Sequence, residues 1–223
     1  MSRRPPDALD YPLVCFDLDG TLVDDTVYIW KTLHEHFCTD PVARQRAYDD
    51  YHAGTLSYPG WFAHDLELLD RAGADEPRIR ALLGALRPMA GARETLDTLA
   101  RRGHRLAVIS GSLDIVVDAL FADVPFVHVL VNRIAFAPDG RIRGGTPTPY
   151  DLEGKADGLR EICRRERIPT SRAAFVGDNS NDVWVAREAG RAIAFNCKSD
   201  ALRDASDFEV EGKDLRAVLA LLS

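Results

Sequence analysis

The run Leu13-Val14-Cys15-Phe16 ends on two aspartates, Asp17 and Asp19, and a glycine turn at Gly20. A short apolar run closed by a turn reads as a buried strand of a parallel sheet, over roughly residues 13–17. Open α/β sheets bind ligands just past the carboxyl ends of their strands. Two carboxylates held there repel each other until a cation or a shared proton lies between them. The stretch therefore bears on fold and site together, although an Asp-Gly turn with two solvated aspartates satisfies the same residues.

The texture changes after Asp24. Val27, Trp30, Leu33 and Phe37, then Leu66, Leu69, Ile79, Leu82, Leu83 and Leu86, follow helical spacing, and no convincing strand occurs before Pro88. From Pro88 onward helices and strands alternate. Helices are expected over about 91–102, 113–121, 154–166, 181–189 and 214–222. Strands are expected at 105–110, 127–131, 173–176, 192–195 and 208–210, with a hairpin over 134–143 turned by Pro138-Asp139-Gly140. This alternation predicts an α/β fold: a doubly wound, Rossmann-like parallel sheet core over 1–23 and 89–223. A small helical cap, 24–88, is inserted after the first strand. Residues 1–11 read as a loose lead-in.

A net charge of −7 and a pI near 5.4 argue against nucleic acid or an anionic membrane surface as partner. No apolar run is long enough to span a bilayer, and the proline-rich start has no signal-peptide core. The cysteines, Cys15, Cys38, Cys163 and Cys197, are widely spaced, and Cys15 reads as a buried free thiol. A cytoplasmic setting is expected.

Three further clusters fall where the sheet presents its strand ends. Ile109-Ser110-Gly111-Ser112 runs from a strand into a helix, and its hydroxyl and amides suit either an anion or a plain helix cap. Lys155 opens a helix, where it neutralises a transferring phosphoryl group or is an ordinary surface lysine. Gly177-Asp178-Asn179-Ser180-Asn181-Asp182 supplies hard oxygen ligands of the kind Mg²⁺ takes, or an Asx turn with an N-cap. A carboxylate such as Asp17 can attack phosphorus, and a neighbour such as Asp19 can move the proton.

The order acid pair, serine, lysine, acid pair, with Asp-x-Asp-Gly-Thr at 17–21 and Gly-Asp-x-x-x-Asp at 177–182, resembles the haloacid dehalogenase-like superfamily of phosphatases. Val-Ile-Ser-Gly-Ser at 108–112, the hairpin and Ala-Phe-Asn-Cys-Lys-Ser at 194–199 resemble its phosphoserine phosphatase branch. The resemblance implies an Mg²⁺-dependent phosphatase acting on a small phosphorylated metabolite through an aspartyl phosphate. Asp17 is then the nucleophile and Asp19 the general acid and base. Ser110, Gly111 and Lys155 hold the phosphoryl oxygens, and Asn181 faces the phosphate or the cap. Mg²⁺ is held by Asp17, Asp178 and the Asp19 carbonyl, with Asp182 behind or through water. Phosphotransfer to an acceptor alcohol stays open beside hydrolysis. A non-catalytic binder has no need of the acid–base aspartate.

The cap is expected to choose the rest of the substrate. Aligned without gaps to the phosphoserine phosphatase pattern, Thr26 stands where that branch carries a glutamate, and Asp65 near the place of an arginine. An acid there repels a carboxylate, which argues against phosphoserine, unless Arg44, Arg46 or Arg71 substitutes. Tyr58, Trp61, Phe62 and His64 are candidates for the specificity wall, with Trp61 or Phe62 as cap core the alternative. Asp24 and Asp25 lie at the hinge as solvated acids or leaving-group contacts. His34 and His36 lack metal-ligand spacing.

Overall fold

The structure, a computed structural model, describes residues 9–24 and 26–222; the lead-in as far as residue 8, and Asp25, lie outside them. The first strand, β1 (Leu13–Phe16), is followed by four helices: α1 (Ile29–His36), α2 (Pro41–His52), α3 (Tyr58–Arg71) and α4 (Glu76–Gly84). The alternating part then runs α5 (Ala92–Arg101), β2 (Arg105–Leu113), α6 (Asp114–Phe121), β3 (Phe126–Phe136) and β4 (Ile142–Thr146). It continues through α7 (Lys155–Glu166), β5 (Ala173–Gly177), α8 (Val183–Glu188), β6 (Arg191–Phe195), α9 (Asp200–Ala205) and β7 (Phe208–Val210). The sheet order is β4-β3-β2-β1-β5-β6-β7, parallel throughout except for β4.

β1 lies at the centre because all four of its residues are apolar and fully buried. Val14 and Phe16 face one layer, with Leu96 and Val108. Leu13 and Cys15 face the other, with Ile109, Leu159 and Ile162 of α7. Helices on both faces explain why the strand reads as an unbroken apolar run. Burying Phe16 alone stabilises the fold by roughly 2–3 kcal/mol. Register places Phe16 beside Val108 on one side and Val176 on the other. Asp17 and Asp178 therefore emerge at one end of neighbouring strands, with Ser110 beside them on β2.

The helical segment leaves and rejoins the sheet through a paired neck. The Asp24 amide donates to Arg87 at 2.9 Å, the Met89 amide to Leu22 at 2.8 Å, and Val23 bridges Pro88. Side chains start three of its helices: Asp40, Ser57 and Asp75 accept from amides of the first turns of α2, α3 and α4. The β3–β4 hairpin reaches the segment as well: Glu76 donates to the Gly140 carbonyl at 2.8 Å, and Arg141 pairs with Asp70 at 2.7 Å.

Four local expectations need correction. The strand at 127–131 does not stop before the hairpin but continues as β3, because the amide of Asn132, fully buried, is satisfied from within. The helix expected at 181–189 starts as a 3₁₀ turn, Ser180–Asp182, before α8. The last helix is a 3₁₀ helix, Leu215–Ala220; its buried Leu215 and Val218 are three apart, the spacing that stacks in such a helix. Helix α9 was not expected, since six residues are too few for a periodic pattern.

Candidate active site

Asp17, Asp19, Ser110, Lys155, Asp178 and Asp182 are all buried. Lys155, at 0 % exposure, sits at the start of α7 and reaches under β1. Its ammonium donates to Asp17 Oδ1 at 2.8 Å and to Asp182 Oδ1 at 2.6 Å. Burial works against that charge, but Asp17, Asp182 and Asp151 outweigh it and hold the lysine above its usual pKa. The surface reading of this lysine is thereby excluded.

Asp182 turns its second oxygen to the amides of Asp178 (3.0 Å) and Asn179 (3.3 Å), locking the β5 loop. Burial pushes Asp182 up to about 6, against the pull of Lys155. Asp178 is pushed up to about 8 by burial and by the charges of Asp17 and Asp182, while Lys198 at 2.5 Å favours its charged form. Gly20 turns with a φ of +81°, and any Cβ there would lie 2.2 Å from Asp178 Oδ2. Only glycine permits both the turn and the approach.

Asp19 is held on both oxygens. Ser112 Oγ donates to Oδ1 at 2.8 Å, and the Ile29 amide, at the start of α1, donates to Oδ2 at 2.7 Å. Burial and the neighbouring Asp17 raise it to about 7, in the direction that favours its protonated form. Ser110 Oγ accepts from the Ser112 amide at 3.2 Å. A Cβ at Gly111 would lie 2.2 Å from Asp151, so glycine is needed there too.

Carboxylate oxygens of Asp17, Asp178 and Asp182 lie within 4.8 Å of one another. An all-oxygen, buried set in which the charge of Asp17 raises the pKa of Asp178 and Asp182 fits a hard divalent cation such as Mg²⁺. Asp182 is the least available of the three, because Lys155 and two amides already engage its oxygens.

A cavity of about 270 Å³ joins these groups to the helical segment. Ser110, Gly111 and Asn181 line one part of it, and Tyr28, Arg44, Trp61 and Asp65 another. Of the three arginines weighed from the sequence, Arg44 alone lines this cavity, with its guanidinium 5.6 Å from the Tyr28 ring centre. Arg46 is exposed, and Arg71 pairs with Glu67 on the surface. Thr26 bonds Thr32 at 2.9 Å and faces a different depression. Asp24 pairs with Lys213 at 2.7 Å. Tyr58 is a tie as much as a wall: its hydroxyl donates to Asp151 at 2.9 Å and accepts from Asn132 at 2.9 Å. Phe62 is core, packed edge-on against Trp30 with ring centres 5.5 Å apart.

Sequence reasoning missed Ser112, Asp151, Lys198 and Trp30, whose indole donates to the Gly111 carbonyl at 3.0 Å. Ser112 and Lys198 lie inside stretches that carried the family resemblance. Asp151 and Trp30 had no local signal.

The family model described as haloacid dehalogenase-like hydrolase matches residues 14–187. A phosphoserine phosphatase of Methanocaldococcus jannaschii is 28% identical over 222 residues, covering 93% of this chain and 95% of that protein. One of Streptomyces coelicolor is 32% identical over 211 residues, covering 94% of this chain; the chain spans 50% of that relative's length. A solved substrate-bound phosphoserine phosphatase superposes with a TM-score of 0.76 at 25% identity, over 96% of this chain and 99% of that one.

Proposed function

The chain belongs to the haloacid dehalogenase-like hydrolase family, and on that premise we propose that it hydrolyses a small phosphate monoester through an aspartyl phosphate, with the helical segment 24–88 acting as the cap that selects the substrate. The observation that carries this reading is the buried Lys155 clasped by Asp17 and Asp182, with Asp19 fixed beside them by Ser112 and the Ile29 amide.

In the first half-reaction an oxygen of Asp17 attacks phosphorus, the phosphorus–ester oxygen bond breaks, and the leaving oxygen takes its proton from Asp19. In the second, water attacks phosphorus, the bond to Asp17 breaks, and Asp19 recovers a proton from the water. Ser112 and the Ile29 amide hold Asp19 in one orientation for both transfers. Lys155 and Ser110 face the phosphoryl oxygens, where fixed positive charge and donors stabilise developing negative charge. Asp17, Asp178 and the carbonyl of Asp19 would hold Mg²⁺, with Asp182 bracing them; the ion supplies charge neutralisation on the phosphoryl group.

The reading predicts that Asp17→Asn abolishes phosphate release from p-nitrophenyl phosphate. A chelator should do the same, with activity restored by added Mg²⁺. Undiminished turnover by the Asn variant would overturn the reading.

A further inference from the structure

Beside the main cavity lies a recess of about 40 Å³ lined by Trp30, Tyr58, Trp61, Phe62, Asp65 and Asp151. Trp30, Trp61, Asp65 and Asp151 line both spaces, so the recess adjoins the cavity that holds Asp17 and Ser110. Four aromatic side chains around two acids is the composition that receives a cation. Ring faces attract positive charge, and a buried carboxylate without a donor is costly until it finds one.

Asp65 is a buried carboxylate that two histidines approach at ion-pair distance but do not hydrogen-bond. It is 5 % exposed, and its Oδ1 has no hydrogen-bond partner among the described residues. His34 Nε2 and His64 Nδ1 stand 3.5 and 3.8 Å away, and neither ring atom hydrogen-bonds it. His34 instead spends its Nδ1 on Thr39 at 2.8 Å. Trp61 Nε1 is likewise buried without a partner. Asp151 adds a second acid, already held by Tyr58 and by the Leu152 amide at 2.7 Å. The opposing charge is Arg44, which lines the wider cavity but not the recess. It stacks on Tyr28, a residue 44 % exposed.

We propose that the recess holds a cationic nitrogen of the substrate, which is therefore a short phosphate monoester that ends in an ammonium group and carries no carboxylate. This rests on the phosphatase reading above and narrows it. The link between phosphate and nitrogen is short because Trp30, a wall of the recess, touches the Gly111 carbonyl beside Ser110. A carboxylate on the substrate is disfavoured because Asp65 and Asp151 would face it.

The test compares kcat/KM, in excess Mg²⁺, for O-phosphoethanolamine, phosphocholine, O-phospho-L-serine and ethyl phosphate, the last being phosphoethanolamine without its nitrogen. At least one of the two ammonium esters should exceed ethyl phosphate by about ten-fold or more, the scale of one desolvated cation–π and charge contact. Phosphoserine should fall below phosphoethanolamine. In Asp65→Asn the ratio of phosphoethanolamine to ethyl phosphate should drop by about ten-fold. Ratios near one for both ammonium esters, a preference for phosphoserine, or an unchanged ratio in the Asn variant would overturn the proposal. Should Asp65→Asn fail to fold, the wild-type panel decides alone. If no ester, including p-nitrophenyl phosphate, is hydrolysed, the phosphatase reading itself fails. Calorimetric binding of phosphoethanolamine against ethyl phosphate then decides the recess separately: tighter binding of the amine supports it, and equal binding removes it.

Discussion

At the strand ends each of the four clustered carboxylates is engaged: Asp17 and Asp182 share Lys155, Asp19 takes Ser112 and the Ile29 amide, and Asp178 takes Lys198. In the helical segment the reverse holds. Among the described residues His34 Nε2, Trp61 Nε1, His64 Nδ1 and Asp65 Oδ1 are buried without a hydrogen bond, all on α1 and α3, against Thr95 Oγ1 and His104 Nε2 in the rest of the chain. One region is organised by its own charges, which suits the phosphate that the proposed function keeps constant between substrates. The other leaves polar atoms unspent, and a buried polar atom without a partner costs about 1–3 kcal/mol. Such a cost persists where a ligand repays it, so the segment that is less satisfied is the one expected to discriminate.

The hardest test of this contrast is Lys155→Met. Losing one buried cation leaves Asp17 and Asp182 facing each other, so stability should fall by about 3–5 kcal/mol. Turnover should fall by about 10²–10³-fold or more, and by the same factor for every ester, since phosphate is common to all. Denaturant unfolding and steady-state kinetics read the two effects. A loss that depended on the ester would break the division between the two regions.

A second test uses pH. Asp19, Asp178 and Asp182 are pushed up to about 7, 8 and 6 from an ordinary value near 3.8, so between pH 4 and 8 these three groups bind more protons in the folded chain than in the unfolded one. Stability without metal should therefore fall as pH rises through that window. Added Mg²⁺ requires the ionised carboxylates and should raise the melting temperature more at pH 8 than at pH 5.5. A metal-free melting temperature that climbs from pH 5.5 to 7.5 would contradict the desolvated cluster.

The same division governs what was legible in the sequence. The parallel sheet follows from local signals, an apolar run and its turn, whereas Asp17, Asp19, Lys155 and Asp178 were each ambiguous alone and became legible through their joint order along the chain. The strand expected at 127–131 runs on through Asn132, whose amide bonds Gly111, Thr148 and Tyr58 inside the sheet, contacts that no local pattern announces. Arg44 was one of three equal candidates, because helix packing rather than spacing decides which arginine faces the cavity. The partners of Trp30 and Tyr58 lie 81 and 93 residues away, beyond any local pattern.

Tyr58 offers the finest test, because it is the join between the two regions. Its hydroxyl carries α3 onto Asp151 and Asn132, and no charge is lost when it is removed. Tyr58→Phe keeps the ring that walls the recess and deletes only the tie. Stability should drop by about 1 kcal/mol, the net worth of an internal hydrogen bond. Asp151 Oδ1 keeps the Leu152 amide at 2.7 Å, while Oδ2 loses the Tyr58 donor. Because the phosphate end is held by other contacts, the change should appear as a rise in KM of a few-fold, with kcat moving less. An opposite split, with kcat falling and KM unmoved, would mean that the tie positions the reacting groups and that the two regions are less separate than their hydrogen bonding indicates.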